Sequence, residues 1–286
     1  MPLTDTKFIN ENIARREQEL AELLKSVKQK EEMTNNQQAV VILAAGLGKR
    51  MKNPDKPKVM YEVLGRPMIE YVIELALRLN AVRVIPVVGH HREEVIDLLI
   101  EKFPGRNFEF AVQEEQLGTG HAIMKAEDLL KDFNGDVIIL SGDVPLLRFE
   151  TVQKLIDEHY NNNNSATLLT TIFKDTHGYG RIVRDEHGNF SKIVEDKDAS
   201  EDVKKIKEIN PAIYIVNSKV LIESLNKITP NNSQGEYYLT DIFRYISKDR
   251  IGTCVTDDEL EVTGVNSIEQ LAELENELKR RNQIES

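Results

Sequence analysis

The chain of 286 residues carries 37 Lys and Arg against 48 Asp and Glu, which leaves a formal net charge of −11. Proteins that bind a nucleic-acid backbone usually present a broad basic surface, so this acidic balance predicts no nucleic-acid partner. With 40% hydrophobic and 30% charged residues the composition is that of a globular protein, and the one cysteine, Cys254, excludes a disulfide framework and a multi-cysteine zinc site.

The first predicted element is an amphipathic helix over residues 7–31, within an N-terminal extension of residues 1–37. Its apolar stripe consists of Ile9, Ile13, Leu20, Leu24 and Val27. Docking of this helix within the chain and pairing with a second copy are both open, so we expect a monomer or a small homo-oligomer. Because no apolar signal segment and no run of roughly 18 apolar residues is present, we expect a cytoplasmic protein without a membrane partner.

From residue 38 onward, runs typical of strands alternate with runs typical of helices. The predicted strands cover residues 39–44, 82–88, 108–113 and 136–141, and the predicted helices run from Pro67 to about Asn80, over 92–103 and over 120–132. This alternation predicts an α/β fold with a Rossmann-like, mostly parallel sheet flanked by helices. Ligands of such sheets bind at the carboxyl ends of the strands.

Beyond residue 165 the pattern changes to segments rich in β-formers, SATLLTTIF, RIVRDEHGNFSKIVE and EINPAIYIV. The middle segment contains a hairpin turn at residues 185–189. We therefore predict a β-rich second part over residues 165–255, which together with residues 38–164 belongs to one domain over 38–267. A C-terminal helix follows over 268–286, with Ser267 and Gln270 spaced as a capping box.

A glycine-rich basic loop, LAAGLGKRMKNPDKPKVM, follows the first buried strand at residues 43–60. Gly46 and Gly48 let the backbone turn sharply and direct N–H groups toward an anion, while Arg50 and Lys58 can reach its oxygens. The loop lacks the residues of a P-loop and the third glycine of a dinucleotide fingerprint. The pattern predicts a phosphate-binding loop, with a solvated charged turn as the alternative.

A second motif, QEEQLGTGHA, lies between a predicted strand and a predicted helix at residues 113–122. The amide of Gln113 can pair with the edge of a nucleobase, and Gly118 allows a flat base to approach the backbone. Thr119 has two interpretations, a ligand contact or an ordinary N-cap of the helix that starts at Gly120.

In the third motif, VIILSGDVPLL, an apolar strand ends at Gly142 and Asp143. Magnesium in proteins is usually held by one or two carboxylates together with substrate phosphates. Asp143, at the carboxyl end of a central strand, is therefore the candidate ligand of Mg²⁺. Its alternative role is to start a turn before Pro145.

Taken together, the motifs resemble the uridylyltransferase part of the bacterial N-acetylglucosamine-1-phosphate uridylyltransferases, also called UDP-N-acetylglucosamine pyrophosphorylases. The matching segments, in chain order, are LAAGLGKRM with PKVM, QEEQLGTGHA, GDVPLL, GYGRIVR, IVEDKDA, EIN, EYYLTD and GVN. They cover residues 39 to about 267. The resemblance implies the nucleotide-diphospho-sugar transferase fold, with nucleotide binding in residues 38–164 and sugar binding in 165–255.

The resemblance also implies an activity, the Mg²⁺-dependent reaction of UTP with N-acetylglucosamine 1-phosphate to give UDP-N-acetylglucosamine and pyrophosphate. The implied catalytic residues are Arg50, Lys58 and Asp143. The implied nucleotide contacts are Leu43, Ala44, Ala45, Gly46, Gly48, Gln113, Gln116, Gly118 and Thr119. The implied sugar contacts are Gly180, Glu195, Asn210, Tyr238 and Thr240, of which Tyr238 also fits a core tyrosine. The implied ligands of Mg²⁺ are Asp143 and Asn266.

Several positions depart from the family pattern. Pro211 and Ala212 follow Asn210 where the family usually has Thr or Ser and then Gly, which removes a backbone donor and adds a β-carbon near the sugar site. Lys49 replaces a small hydroxyl residue, and Ser267 stands where an arginine often follows. These changes leave a different sugar 1-phosphate or a phosphorylated alcohol open as the acceptor.

A non-catalytic nucleotide-binding regulator is a further alternative. The joint presence of Arg50, Lys58, Asp143 and Asn266 argues against it, because a regulator does not need the full set. Many family members continue into a left-handed β-helix that carries acetyltransferase activity, whereas this sequence ends soon after its last helix. We therefore expect no acetyl transfer.

Overall fold

The computed structural model describes residues 37–284 apart from 52, 54 and 55, together with the isolated residues 16, 18 and 20. The chain divides into two compact units, Met1–Gln37 and Gln38–Ser286. The helix predicted over residues 7–31 lies, except at those three isolated positions, outside the described residues. Among the helices that are described, none combines the length and the apolar character needed to cross a bilayer.

The second unit is built from short strands and helices in alternation. Its strands are β1 (Gln38–Leu43), β2 (Glu62–Val63), β3 (Arg66–Pro67), β4 (Arg83–Val88), β5 (Ala111–Val112), β6 (Asp136–Ser141), β7 (Ala166–Ile172), β8 (Gly180–Arg184), β9 (Phe190–Val194), β10 (Glu208–Asn210), β11 (Tyr214–Asn217) and β12 (Ile251–Thr256). Its helices are α1 (Met68–Arg78), α2 (Arg92–Lys102), α3 (Thr119–Met124), α4 (Glu127–Leu130), α5 (Phe149–Asn161), α6 (Glu201–Lys204), α7 (Ser218–Leu225) and α8 (Ile268–Ile284).

Ten of these strands form one sheet in the order β5-β4-β1-β6-β11-β7-β10-β8-β9, with β12 paired to β7. Strands β5, β4, β1 and β6 are parallel to one another, and β11, β7, β10, β8 and β9 continue the sheet with antiparallel pairs. The predicted α/β class, a mostly parallel central sheet flanked by helices, is confirmed. The β-rich second part extends the same sheet.

Strand β1 shows why its sequence is continuously apolar. Ala39 and Val41 face one buried cluster, which includes residues of α3 and α7, while Val40 and Ile42 face another, which includes residues of α1, α2 and α5. Successive side chains of a strand point to opposite faces, so a strand covered on both sides has no solvent-facing positions. Burial of both faces leaves the strand ends as the place where polar residues can gather.

The predicted hairpin turn is present between β8 and β9. The Asp185 N–H donates to the Asn189 carbonyl at 2.9 Å, and the Asp185 side chain accepts hydrogen bonds from the N–H groups of His187 and Asn189 at 2.9 and 2.8 Å. An aspartate that binds backbone groups ahead of it stabilises a tight turn. The turn therefore follows from local sequence chemistry.

Two predicted elements are shorter than expected. The strand predicted over 108–113 is regular only at Ala111–Val112, where β5 pairs with β4 at the edge of the sheet. The helix predicted over 120–132 is interrupted between α3 and α4, where the N–H of Ala126 donates to the carbonyl of Ile123 at 2.9 Å. This bond spans three residues, which is the tighter 3-10 geometry, and it ends the first helix.

Candidate functional site

Two neighbouring clefts lie at the carboxyl ends of β1 and β6. The first cleft has a volume of about 530 Å³ and the second about 290 Å³. The candidate residues that line the first cleft are Leu43, Ala45, Gly46, Gly48, Arg50, Lys58, Gln113, Gln116, Gly118, Thr119, Asp143 and Asn266. Those that line the second are Thr119, Asp143, Gly180, Glu195, Asn210, Tyr238, Thr240 and Asn266.

The two clefts share part of their lining. Asp143, Asn266 and Thr119 border both of them, and so do four further residues that are not among the implied ligand contacts. These four are Ser141, Ala212, Gln234 and Glu236. The two clefts thus meet at the carboxylate of Asp143 and the amide of Asn266.

Among the candidate residues, all of which the structure describes, Ala44 alone lines neither cleft. Its side chain is buried in the apolar core and its N–H donates to the carbonyl of Val87 at 2.9 Å. The donor that a phosphate would need at this position is already used inside the sheet. The Ala44 N–H is therefore engaged inside the protein, and a nucleotide contact by Ala44 stays a prediction.

The glycine-rich loop approaches Lys58 closely at one point. Gly48 has φ of 59°, in the left-handed region, and a Cβ at this position would lie 2.9 Å from the Cβ of Lys58. A side chain here would be strained by its backbone conformation and would displace Lys58. Gly48 therefore allows the loop and Lys58 to line the same cleft.

Lys58 joins the two candidate metal ligands. Its ammonium group donates to the Oδ2 of Asp143 in a short contact and to the Oδ1 of Asn266 at 2.6 Å. The side chains of Lys58 and Asp143 are mostly buried, so their attraction is less screened than that of a surface pair. One cation thus contacts the oxygens of both candidate ligands.

The orientation of Asn266 is fixed by its surroundings. Its Nδ2 donates to the Gly264 carbonyl at 3.3 Å, its backbone N–H donates to the Gln270 side chain at 2.8 Å, and the Val265 N–H donates to the Asp143 carbonyl at 2.9 Å. Because the Gly264 carbonyl can only accept, the amide oxygen of Asn266 must face Lys58. The predicted cap of α8 is thus used in part to hold Asn266.

The donor set at this position fits a magnesium ion. Among the described residues, no three His, Cys, Asp or Glu side chains are grouped so that they could hold a metal ion by themselves. Asp143 and Asn266 supply one carboxylate and one amide oxygen, both hard ligands, and magnesium is commonly bound by so few protein groups when substrate phosphates complete its shell. The convergence of both oxygens on the Lys58 ammonium shows that they can serve a single positive charge.

Gln113 is buried, with 3% of its surface exposed, and its amide orientation is also determined. Its Nε2 donates to the Gly118 carbonyl at 3.0 Å and lies 3.0 Å from the Nδ1 of His121. Burial lowers the pKa of His121, so its neutral ring can accept this hydrogen bond. The Oε1 of Gln113 accepts no hydrogen bond from the described residues and is left as the polar atom available to a ligand.

Thr119 is the first residue of α3, and its hydroxyl does not cap the helix. Instead its Oγ1 accepts a hydrogen bond from the N–H of Leu239 at 3.1 Å. The N-cap position is Gly118, whose φ is 110°, and a Cβ there would lie 2.5 Å from the carbonyl oxygen of Tyr237. The N-cap interpretation of Thr119 is therefore wrong, and Gly118 allows close packing against the segment at Tyr237.

In the second cleft a buried carboxylate is held by a threonine. The Oγ1 of Thr240 donates to the Oε1 of Glu195 at 2.7 Å. Burial raises the pKa of Glu195, and the nearby acidic groups raise it further, while the bond from Thr240 lowers it. The other oxygen of Glu195 lies beside Gly180 and is the atom that can accept a hydrogen bond from a ligand.

Tyr238 lies at the wall of the second cleft with 7% of its surface exposed, which matches both interpretations given above. Its hydroxyl accepts a hydrogen bond from the Nε2 of Gln234 at 2.9 Å. Gln234 and Glu236 lie in the same QGEYY segment as Tyr238, and Ser141 directly precedes the Gly-Asp pair. Because Gln234, Glu236 and Ser141 lie in or directly beside motifs that mark the site, their sequence positions are the signal from which a role in the site could be predicted.

Comparison with known proteins places the chain among others of related sequence. A family model described as "Nucleotidyl transferase" matches residues 39–261. The chain is 48% identical over 243 residues to the bifunctional protein GlmU of Caldanaerobacter subterraneus subsp. tengcongensis and 49% identical over 243 residues to that of Thermoanaerobacter pseudethanolicus. Each alignment covers 84% of this chain and 51% of the relative, so the chain spans about half the length of these curated relatives. The family resemblance inferred from the motifs is confirmed.

A solved structure shares the fold. The crystal structure of UDP-glucose pyrophosphorylase complexed with UDP-glucose superimposes with a TM-score of 0.69 at 18% sequence identity, and the match covers 86% of this chain and 99% of that one. At this level of identity the similarity concerns the fold alone.

Proposed function

The chain belongs to the nucleotidyl transferase family, and we propose that it transfers the uridylyl group of UTP to N-acetylglucosamine 1-phosphate, which yields UDP-N-acetylglucosamine and pyrophosphate. The observation that carries the proposal is the meeting of two clefts at Asp143 and Asn266, both contacted by Lys58. The first cleft would hold the nucleoside triphosphate and the second the sugar phosphate.

The choice of uracil as the base is supported by the orientation of Gln113. Its Oε1 is the free polar atom, and it can accept a hydrogen bond from the N3–H of uracil. Cytosine presents an acceptor at N3, which would face the same oxygen without a proton between them. An unpaired polar contact of this kind is a strong source of discrimination.

The reaction requires two polyanions to approach each other. A phosphate oxygen of the sugar 1-phosphate attacks the α-phosphorus of UTP in line, a new P–O bond forms, and pyrophosphate leaves on the opposite side. Unit charges of the same sign 4 Å apart repel by about 1 kcal/mol in water and about 4 kcal/mol at an effective dielectric constant of 20. Lys58 and Arg50, which line the first cleft, would offset this repulsion and stabilise charge in the transition state.

The protein needs no nucleophilic side chain for this step, because the attacking phosphate is already ionised. Mg²⁺, when held by Asp143, Asn266 and the substrate phosphates, would supply additional neutralisation of phosphate charge. Nucleotide binding would draw the Lys58 ammonium toward the phosphates and so free the oxygens of Asp143 and Asn266.

The acceptor is recognised in the second cleft. The free oxygen of Glu195 can accept from a sugar hydroxyl, and Asn210 faces the same space. Pro211 and Ala212, which depart from the family pattern, also line this cleft. For this reason another sugar 1-phosphate or a phosphorylated alcohol is the alternative acceptor. We further expect a cytoplasmic enzyme that acts as a monomer or small homo-oligomer.

The test is a matrix of nucleoside triphosphates and sugar 1-phosphates with Mg²⁺, read as pyrophosphate release. We expect the highest kcat/KM for UTP with N-acetylglucosamine 1-phosphate and a loss of turnover by a factor on the order of 10² for Asp143→Ala, the scale seen when one preorganised electrostatic group is removed. Lys58→Ala should lower turnover as well, and Lys56→Ala is its matched control, since the described lining of neither cleft includes Lys56. If the protein turns over none of the acceptors in the matrix, an enzymatic function is rejected and a nucleotide-binding regulator is favoured.

A further inference from the structure

The amide of Asn210 has a determined orientation in the second cleft. The Ala212 N–H lies 3.0 Å from one atom of this amide, and the Tyr214 hydroxyl lies 2.9 Å from the same atom. A backbone N–H can only donate, so the shared atom must be the carbonyl oxygen Oδ1. The Tyr214 hydroxyl then donates to it as well.

Two donors on Oδ1 leave the Nδ2 group of Asn210 for the ligand. Within the part of the chain that the structure describes, Nδ2 donates to no protein acceptor. Asn210 lines the second cleft beside Glu195, whose Oε1 is likewise held from inside the protein by Thr240. The cleft therefore offers a fixed donor from Asn210 and a fixed acceptor from Glu195.

Tyr214 is suited to hold this geometry. It is fully buried, and its ring packs edge-on against Phe243 with ring centroids 5.2 Å apart. Burial and the nearby Glu195 raise the pKa of the Tyr214 phenol, so the hydroxyl stays protonated and remains a donor. The rigid ring delivers one hydroxyl to one atom of Asn210.

The backbone between Asn210 and Tyr214 also stabilises the orientation of the Asn210 amide. Ala212 has φ of 60°, a left-handed conformation that is unfavourable for a residue with a side chain. Its neighbours hold it there, because its carbonyl accepts from the Ser141 hydroxyl at 3.3 Å and the next residue, Ile213, is buried and accepts from the Leu169 N–H at 3.0 Å. This conformation turns the Ala212 N–H toward Asn210.

We propose that Tyr214 is a positioning residue for the acceptor: together with the Ala212 N–H it holds the Oδ1 of Asn210, so that the Nδ2 group donates to an oxygen of the sugar phosphate. The proposal rests on the proposed function, because it assigns the second cleft to the acceptor. It requires that the substrate in the second cleft has an oxygen next to the Nδ2 of Asn210 that can accept a hydrogen bond. Tyr214 acts through Asn210 and does not itself contact the reacting phosphates.

The test is Tyr214→Phe, which removes the hydroxyl and leaves Asn210 with the Ala212 donor. We expect the KM for the acceptor to rise about three- to tenfold, the effect of one neutral hydrogen bond, while the KM for the nucleoside triphosphate stays unchanged. Tyr71→Phe is the matched control: it removes a hydroxyl that donates to the Val63 carbonyl at 2.9 Å, at a place that lines neither cleft as described. A purely structural effect of Tyr214→Phe would change both KM values or kcat.

Asn210→Asp is the second variant. An aspartate can still accept from Ala212 and Tyr214, but it presents an oxygen in place of Nδ2, so we expect acceptor use to fall at least as far as in Tyr214→Phe while UTP binding persists. If wild-type protein turns over an acceptor and either variant keeps the wild-type KM for it, the positioning role is rejected and the proposed function stands. If wild-type protein turns over no acceptor at all, the proposed function and this role both fail.

Discussion

Lys58 and Asn266, which are 208 residues apart in the chain, are joined by a hydrogen bond of 2.6 Å from the lysine ammonium to the Oδ1 of the asparagine. The same ammonium contacts the carboxylate of Asp143. Lys58 thus binds the two oxygens that we assign to Mg²⁺. A divalent cation has to compete with Lys58 for them.

This competition predicts that removal of the lysine strengthens metal binding to the free protein. For Lys58→Ala we expect the Kd of Mn²⁺, used as the probe, to fall about fivefold, which corresponds to the loss of roughly 1 kcal/mol of ion pairing. Calorimetric titration without nucleotide measures this Kd, with Lys56→Ala as control. Weaker or unchanged Mn²⁺ binding in Lys58→Ala would contradict the shared use of Asp143 and Asn266.

The fixed orientation of Gln113 predicts base selectivity. In the wild-type protein UTP should be preferred over CTP by a factor of about 10² or more in kcat/KM, since the buried Oε1 of Gln113 lacks a donor from cytosine. Gln113→Leu should raise the KM for UTP and bring the UTP to CTP ratio close to one. Gln153→Leu removes an amide from helix α5, outside the described lining of both clefts, and should leave the ratio as in wild type. An undiminished preference in Gln113→Leu would assign base recognition elsewhere.

The bond from Thr240 to Glu195 predicts a pH dependence of acceptor binding. Burial raises the pKa of Glu195 above its ordinary value of about 4.5, and the hydrogen bond from Thr240 opposes this shift. As pH falls through the raised pKa, Glu195 takes up a proton and loses acceptor strength, so the KM for the acceptor should rise. Thr240→Val removes the opposing bond, so the rise should begin at a higher pH.

The ionisation of Glu195 should also make the stability of the protein depend on pH. Because the folded-state pKa of Glu195 is raised, the protonated form favours folding: this contribution is present below about 4.5 and is lost as pH rises through the folded pKa. In Thr240→Val the loss should extend to higher pH, which thermal unfolding at a series of pH values measures. Thr171→Val, which removes a buried hydroxyl that donates to the Thr256 carbonyl, is the control. Parallel pH profiles for both variants would exclude the link between Thr240 and Glu195.

The left-handed conformation of Ala212 predicts the effect of a glycine. Ala212→Gly relieves a strain of about 1–2 kcal/mol but increases the freedom of the unfolded chain, so we expect the free energy of unfolding to rise by up to about 1 kcal/mol. Ala199→Gly, at a residue with φ of −76°, should lower it instead. Urea unfolding of both variants decides the question. A loss of stability in Ala212→Gly would mean that the Ala212 methyl packs favourably enough to outweigh the strain.

Local chemistry made much of the fold predictable from sequence. The apolar run at β1 and the turn at Asp185 depend on neighbouring residues, and the structure has both. The interruption between α3 and α4 was missed, because the periodicity of apolar residues does not register a single 3-10 hydrogen bond at Ala126.

The site was predictable to the extent that motifs mark strand ends and loops. The motif residues Asp143 and Asn266 do converge, although nothing in their local sequences specifies the lysine that bridges them. The role of Tyr214 was not accessible, since an apolar strand with an aromatic residue is typical of an ordinary core. The orientation of a side-chain amide depends on hydrogen-bond donors that the tertiary structure brings together. A sequence pattern therefore does not predict which amide atom faces a cleft.

The position of Asn266 near the end of the domain has a consequence during protein synthesis. Asn266 is tied to the Asp143 segment through the hydrogen bond from Val265 and lies directly before α8. Because a nascent chain leaves the ribosome from its N-terminus, every strand of the sheet emerges before this asparagine does. A ribosome-bound intermediate can therefore complete its sheet while still lacking one half of the oxygen pair that Lys58 contacts, and activity would arise only as the last residues of the domain are released.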